Sequence, residues 1–185
     1  MAHVKITPRT LSLYITGRGA AFVCFIHPRM VIDWGTKYVR SGEKDANTLR
    51  VAKQLIDQFG PTAIVIENVE DSYSKRGPRI KTLCRAIARY GERKQIAVHA
   101  YSRRETMDAF ASAAASNKHD LNCIIVSLLP TLRAWQPRKR RAFDPELSGQ
   151  GMFDAAALGL TFYVRINKLD VAQAMQEEQV DDLSL

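Results

Sequence analysis

Hydrophobic positions change their period along the chain. From Thr10 to Thr16 (TLSLYIT), Ala20 to His27 (AAFVCFIH) and Val31 to Val39 (VIDWGTKYV), β-branched and aromatic residues dominate, and the breaks Gly17-Arg18-Gly19 and Pro28-Arg29 have hairpin length. This predicts an antiparallel meander. From Leu49 the spacing turns helical: Leu49, Ala52, Leu55, Ile56 and Phe59 share one face, and Gly60-Pro61 ends it. Thr62 to Glu67 (TAIVIE) is a continuous apolar run closed by an acid, the pattern of a strand buried on both faces in a partly parallel sheet.

Pro78 suits the first turn of a helix whose apolar stripe is Ile80, Leu83, Cys84, Ile87 and Ala88. Gln95 to Tyr101 (QIAVHAY) predicts the fifth strand. Ser102 and Glu105 have capping-box spacing at the head of a helix carrying Met107, Phe110 and Ala111. A further helix begins near Asn117, carries Leu121, Ile124, Ile125 and Leu128, and stops before Pro130. Pro, Gly and charge make residues 133–151 a loop, and a closing helix runs from near Met152 to about Lys168. The order β-β-β-α-β-α-β-α-α-α predicts an α/β fold with a mixed five-stranded sheet flanked by helices. It forms one domain over residues 1–170, followed by an acidic tail, 171–185, that is expected to fray or be disordered.

Composition narrows the class. Apolar residues make up 46% of the 185 and charged residues 25%, proportions that exclude a wholly disordered, collagen-like or disulfide-scaffold chain. The longest apolar run, Ala20 to Ile26, falls far short of the ~18 residues a membrane span needs. The first residues lack the apolar core of a signal peptide, so a cytoplasmic protein with no membrane partner is expected. Cys24, Cys84 and Cys123 lie far apart among apolar neighbours with no Cys-x-x-Cys pair, and read as buried thiols. The formal net charge is +8; the last ten residues hold four acids and no base, which leaves +12 on the rest. Such a surplus concentrates polyanions, nucleic acid above all, and a solubilising surface is the alternative.

Glu67 closes a strand that belongs in the middle of the sheet, where the ligands of open α/β folds gather. An acid there binds a cation, accepts a proton, or pairs with a base such as Lys75 or Arg76. Asp154 falls in the first turn of the closing helix, where complementing the helix dipole is worth about 0.3–1 kcal/mol. Lys75, Arg76, Arg79, Lys81, Arg85, Arg89, Arg93 and Lys94 put eight bases within twenty residues, three of them (Lys81, Arg85, Arg89) along one helix side. Arg133, Arg138, Lys139, Arg140 and Arg141 form a second cluster around Trp135 and before Phe143. Such cations neutralise phosphates and an exposed aromatic stacks on an unpaired base; a solvated face and loop anchors are the bland readings. His119, near a helix start, contacts phosphate or serves as a surface or capping residue.

In order and spacing these pieces resemble the RuvC-type resolvases and their smaller relatives, nucleases of the RNase H-like fold. The resemblance spans most of residues 10–165: LSLYITGRGAAFVCF, VIDWGTKYV, AIVIEN, the Asn117-Lys118-His119 helix start, the basic loop, and the closing helix that opens with Phe153-Asp154-Ala155. It implies an RNase H-like three-layer fold, a homodimer on branched or single-strand-containing DNA, and carboxylates that hold two Mg²⁺ or Mn²⁺ ions to activate water. Glu67 and Asp154 match two of those metal-binding acids. Tyr14 stands where relatives carry an Asp between the metals, and Gly151 where they carry a further acid, so two of four carboxylates are missing. Glu146 is the best-placed substitute; Asp33, Glu70, Asp71 and Asp144 are less suited. The expected DNA contacts are Lys75, Arg76, Arg79, Lys81, Arg85, Arg89, Lys118, Arg138, Lys139, Arg140 and Arg141. Three readings stand. One is a DNA-binding descendant, non-catalytic and without a cofactor, or only a weak metal-dependent endonuclease. The second is an intact Mg²⁺-dependent, structure-selective endodeoxyribonuclease. The third is a protein-interaction module using the acidic tail, which could also cover the basic groove.

Overall fold

A computed structural model of the chain describes residues 8–40, 42–139 and 149–182, with side chains described as far as residue 177. Strand β1 (Thr10–Thr16) sits in the middle of the sheet because both its faces find partners. Leu11, Leu13 and Ile15 enter one apolar cluster. The opposite face is polar and is satisfied internally: Ser12 Oγ donates to the Val23 carbonyl at 3.1 Å, and the Tyr163 hydroxyl donates to Thr10 Oγ1 at 3.1 Å. Paired in this way, these buried hydroxyls avoid the roughly 1–3 kcal/mol cost of an unsatisfied polar group.

Strands β2 (Gly19–His27) and β3 (Met30–Tyr38) continue the antiparallel meander on one side of β1. Strands β4 (Ala63–Glu67) and β5 (Ala97–Tyr101) run parallel to β1 on the other, giving the order β3-β2-β1-β4-β5. Helices α1 (Lys44–Phe59) and α2 (Pro78–Arg93) cover the Leu11 face. Helix α5 (Gln150–Arg165) covers the other, with α3 (Arg103–Ala109), α4 (Lys118–Leu128), α6 (Val171–Asp182) and a 3-10 turn at Pro130–Trp135 around it. The predicted mixed five-stranded sheet between two helical layers is therefore present. α5 lies close against the strands because it is built of small residues there. A Cβ on Gly159 would stand 2.3 Å from the fully buried Phe25 ring.

Two expectations change. The acidic end begins as α6, whose Val171 and Ala174 are buried in the main core and whose Glu177 pairs with Arg29 at 3.4 Å. Arg29 belongs to the β2–β3 turn, beside the start of β1, so this helix lies at the opposite end of the sheet from Glu67 and does not cover that groove. Cys24 and Cys84 are buried, but Cys123 is exposed on the outer side of α4 although its sequence neighbours are apolar. Among the described residues no helix is long and apolar enough to cross a membrane.

Candidate nucleic-acid interface

The three parallel strands end at one edge of the sheet, and the register places Glu67 beside Tyr101 and Ile66 beside Leu13, one residue before Tyr14. Helix α5 enters over this edge because Gly151 has no side chain. A Cβ there would come within 2.8 Å of Thr16 Cγ2, 3.3 Å of Ala21 Cβ and 3.8 Å of Tyr14 Cδ1. That close entry brings Asp154, three residues on, to the rim beside Glu67. The two acids and Tyr14 line one recess of about 70 Å³, which adjoins an open cleft of about 710 Å³.

Each acid is already closed by a cation of the chain. The loop after β4 folds back through two Asx turns, with Asn68 Oδ1 accepting from the Glu70 N–H at 3.0 Å and Asp71 Oδ1 from the Tyr73 N–H at 2.8 Å. This return delivers Arg76, whose Nε donates to Glu67 Oε2 at 2.6 Å while its guanidinium lies 4.5 Å from the centre of the Tyr14 ring. Burial opposes the charge on Arg76; Tyr14 and Glu67 favour it and outweigh burial, so its pKa is raised. On the other side Asn117 caps α4 by accepting from the N–H groups of His119 and Asp120. Lys118 in that first turn donates to Asp154 Oδ2 at 3.0 Å. Gln150 Nε2 donates to Asp154 Oδ1 at 3.2 Å, and the Gln150 amide exchanges two hydrogen bonds with that of Asn122, at 3.1 and 3.3 Å. Asn122, Gln150 and Asp154 are all buried, which makes this ladder a rigid mount for the carboxylate.

Among the described residues, two of the four carboxylates that the resemblance implies are present, Glu67 and Asp154. Tyr14 carries a guanidinium on its ring, Gly151 has no room for a side chain, and Glu67 and Asp154 accept from a guanidinium and an ammonium. Among the described residues no group of three or more His, Cys, Asp or Glu is placed to share a cation. Glu146, together with Asp144, Arg140 and Arg141, lies outside the described residues.

The expected cationic contacts divide. Lys75, Arg76 and Lys118 line the cleft, joined by Arg103 and Arg104 at the start of α3. The α2 cations point elsewhere: Arg79 pairs with Asp45 of α1, and Arg85, in the Lys81–Arg85–Arg89 stripe, makes two bonds to Glu70 at 2.6 and 2.9 Å. Lys81 and Arg89 lie on this same side of α2, away from the cleft lining. Arg138 and Lys139 are exposed, and neither lines the cleft. His119 turns to Cys123, with Nε2 3.8 Å from Sγ. Sequence reasoning missed Arg103, Arg104, Asn122 and Gln150. The strand-end rule that selected Glu67 also selects the two arginines that follow β5, whereas the Asn122–Gln150 pair needs two crossing helices.

No protein-family model matches the chain, and no curated protein sequence matches it. Among solved structures it is similar to Thermus thermophilus RuvC in complex with Holliday junction substrate, at 14% identity and a TM-score of 0.62, covering 87% of this chain and 97% of that one. A second Thermus thermophilus RuvC structure gives 15% identity and a TM-score of 0.57, over 86% and 97%. The yeast mitochondrial Holliday junction resolvase Ydc2 gives 14% and 0.59, over 97% and 85%. The chain thus has the RuvC-like form of the RNase H fold.

Proposed function

We propose that this protein binds branched or single-strand-containing DNA in the strand-end cleft and does not cut it. One observation carries the reading. The two acids that a RuvC-type nuclease would give to metal ions meet in a single recess, and there each is closed by a cation of the chain. Among the described residues, five cations, Lys75, Arg76, Arg103, Arg104 and Lys118, and three carboxylates, Glu67, Asp71 and Asp154, line the recess and cleft. The surplus is positive where a phosphodiester would lie. Glu67 and Asp154 then fix the direction of Arg76 and Lys118, and these donors take the place of metal ions in neutralising a phosphate. The neighbour bound to a Holliday junction supports branched DNA as the ligand.

Fluorescence anisotropy with labelled four-way junction, flap and duplex tests this. At matched ionic strength the affinity in EDTA equals that in Mg²⁺ or Mn²⁺, and no nicked strand accumulates. Metal-dependent nicking that Glu67→Gln and Asp154→Asn both abolish would overturn the proposal. The triple variant Lys75→Gln/Arg103→Gln/Arg104→Gln on the rim flattens the plot of log K against log salt by about 2–3, at roughly 0.9 for each phosphate no longer neutralised. Lys81→Gln/Arg89→Gln on α2 leaves that slope nearly unchanged.

A further inference from the structure

Trp34 and Trp135 are the two tryptophans of the chain, and they meet. Their rings pack edge to face with centroids 5.5 Å apart and planes at 74°. Trp34 stands on β3, half-buried against the core beneath α5, whereas Trp135 ends the 3-10 turn and is 51% exposed. The turn is anchored on both sides of that indole: Leu132 and Pro137 are buried, and Gln136 Nε2 donates to Cys123 Sγ at 3.3 Å. Trp135 is therefore a fixed, solvent-facing aromatic surface, with the exposed cations Arg133, Arg138 and Lys139 within four residues of it.

Its position relates it to the cleft. Trp34 lies one row along the sheet face from the line Tyr14–Ala21–Thr36, and β3 is two strand spacings, about 10 Å, from β1. The Trp135 carbonyl oxygen would lie 3.3 Å from a Cβ on Gly149, the residue that caps α5, so the platform flanks the same helix start that carries Asp154 into the recess. An exposed, flat aromatic surface with cations close to it in the chain suits one chemical class, a nucleobase with its phosphate. A paired base inside a duplex is stacked between its neighbours and out of reach; an unpaired one is free to stack on the indole. From this geometry we propose that Trp135 is a stacking platform for an unpaired base, whose strand is held by Arg133, Arg138 and Lys139. It gives the protein a preference for single-strand-containing DNA over plain duplex. The inference rests on the DNA-binding reading above.

Because both tryptophans belong to the pair, tryptophan emission excited apart from the six tyrosines reports this site alone. The full chain is titrated with a short labelled oligothymidylate and with a blunt duplex, following tryptophan emission and label anisotropy together. The oligothymidylate quenches the emission, and Trp34→Phe, which leaves Trp135 as the sole indole, keeps the quenching. Trp135→Ala weakens oligothymidylate binding about 5- to 150-fold, the range expected for one base stacked on an aromatic. Its duplex affinity stays within about twofold, because phosphate contacts carry that binding. Trp135→Phe restores most of the affinity. Oligothymidylate binding with unchanged emission would overturn the platform and leave the DNA-binding reading standing, whereas no salt-sensitive binding to either probe would overturn both. Self-association without DNA that Trp135→Ala removes, with the preference for oligothymidylate unaltered, would assign the indole to a second copy of the chain and also refute the platform.

Discussion

Burial sorts the three thiols of this chain into two kinds. It pushes the Cys24 thiol up to about 11 and the Cys84 thiol up to about 12, and it closes both off from reagent, while Cys123 is open to solvent. At pH 8 the native protein should give one thiol per chain with a disulfide reagent and three after denaturation; two or more in a rapid native phase would contradict the packing around β2 and α2. The same scale decides the chemistry of the cleft. The phenol ring of Tyr14 supports the guanidinium of Arg76 on its face, beside Glu67. Glu67 and Asp154 were legible in the sequence because a strand end and a helix start are local patterns, and so was an Arg76 partner for Glu67. The hold of Lys118 on Asp154 and the Asn122–Gln150 mount were not, because each joins residues far apart in sequence through the crossing of α4 and α5.

At the scale of elements, α5 and its two glycines set where the site lies. An acid at position 151 would need space already filled by Thr16, Ala21 and Tyr14. Gly151→Asp should therefore lower stability by about 1–3 kcal/mol through overpacking, seen as a lower denaturant midpoint. It should not create metal-dependent cleavage; an unchanged midpoint would show that the helix has room to move. Strand β1 and the start of α2 at Pro78 fall where the hydrophobic period put them, because β-branched runs and the proline act locally. α6 escaped that reading, since the acids dominate its composition and its stability comes from Val171 and Ala174 meeting the rest of the core. The Lys81–Arg85–Arg89 stripe was seen as a row of cations, yet Glu70, from outside that helix, claims Arg85, as Asp45 claims Arg79 elsewhere on it.

For the whole molecule, the cleft and α6 lie at opposite ends of the sheet. The cleft at the carboxyl ends of β1, β4 and β5 gathers cations, while Glu177 of α6 pairs with Arg29 at the far turn. The net charge of +8 read from composition thereby becomes a directed surface, something no count of residues specifies. On the proposed function, Arg76 and Lys118 occupy the two acids that metal ions would otherwise use. Direct titration of the protein with Mn²⁺, followed by the loss of the free-ion electron paramagnetic resonance signal, tests it. The account predicts no site that saturates below millimolar Mn²⁺, and a curve unchanged by Glu67→Gln. Stoichiometric uptake at micromolar Mn²⁺ that either Glu67→Gln or Asp154→Asn abolishes would contradict it.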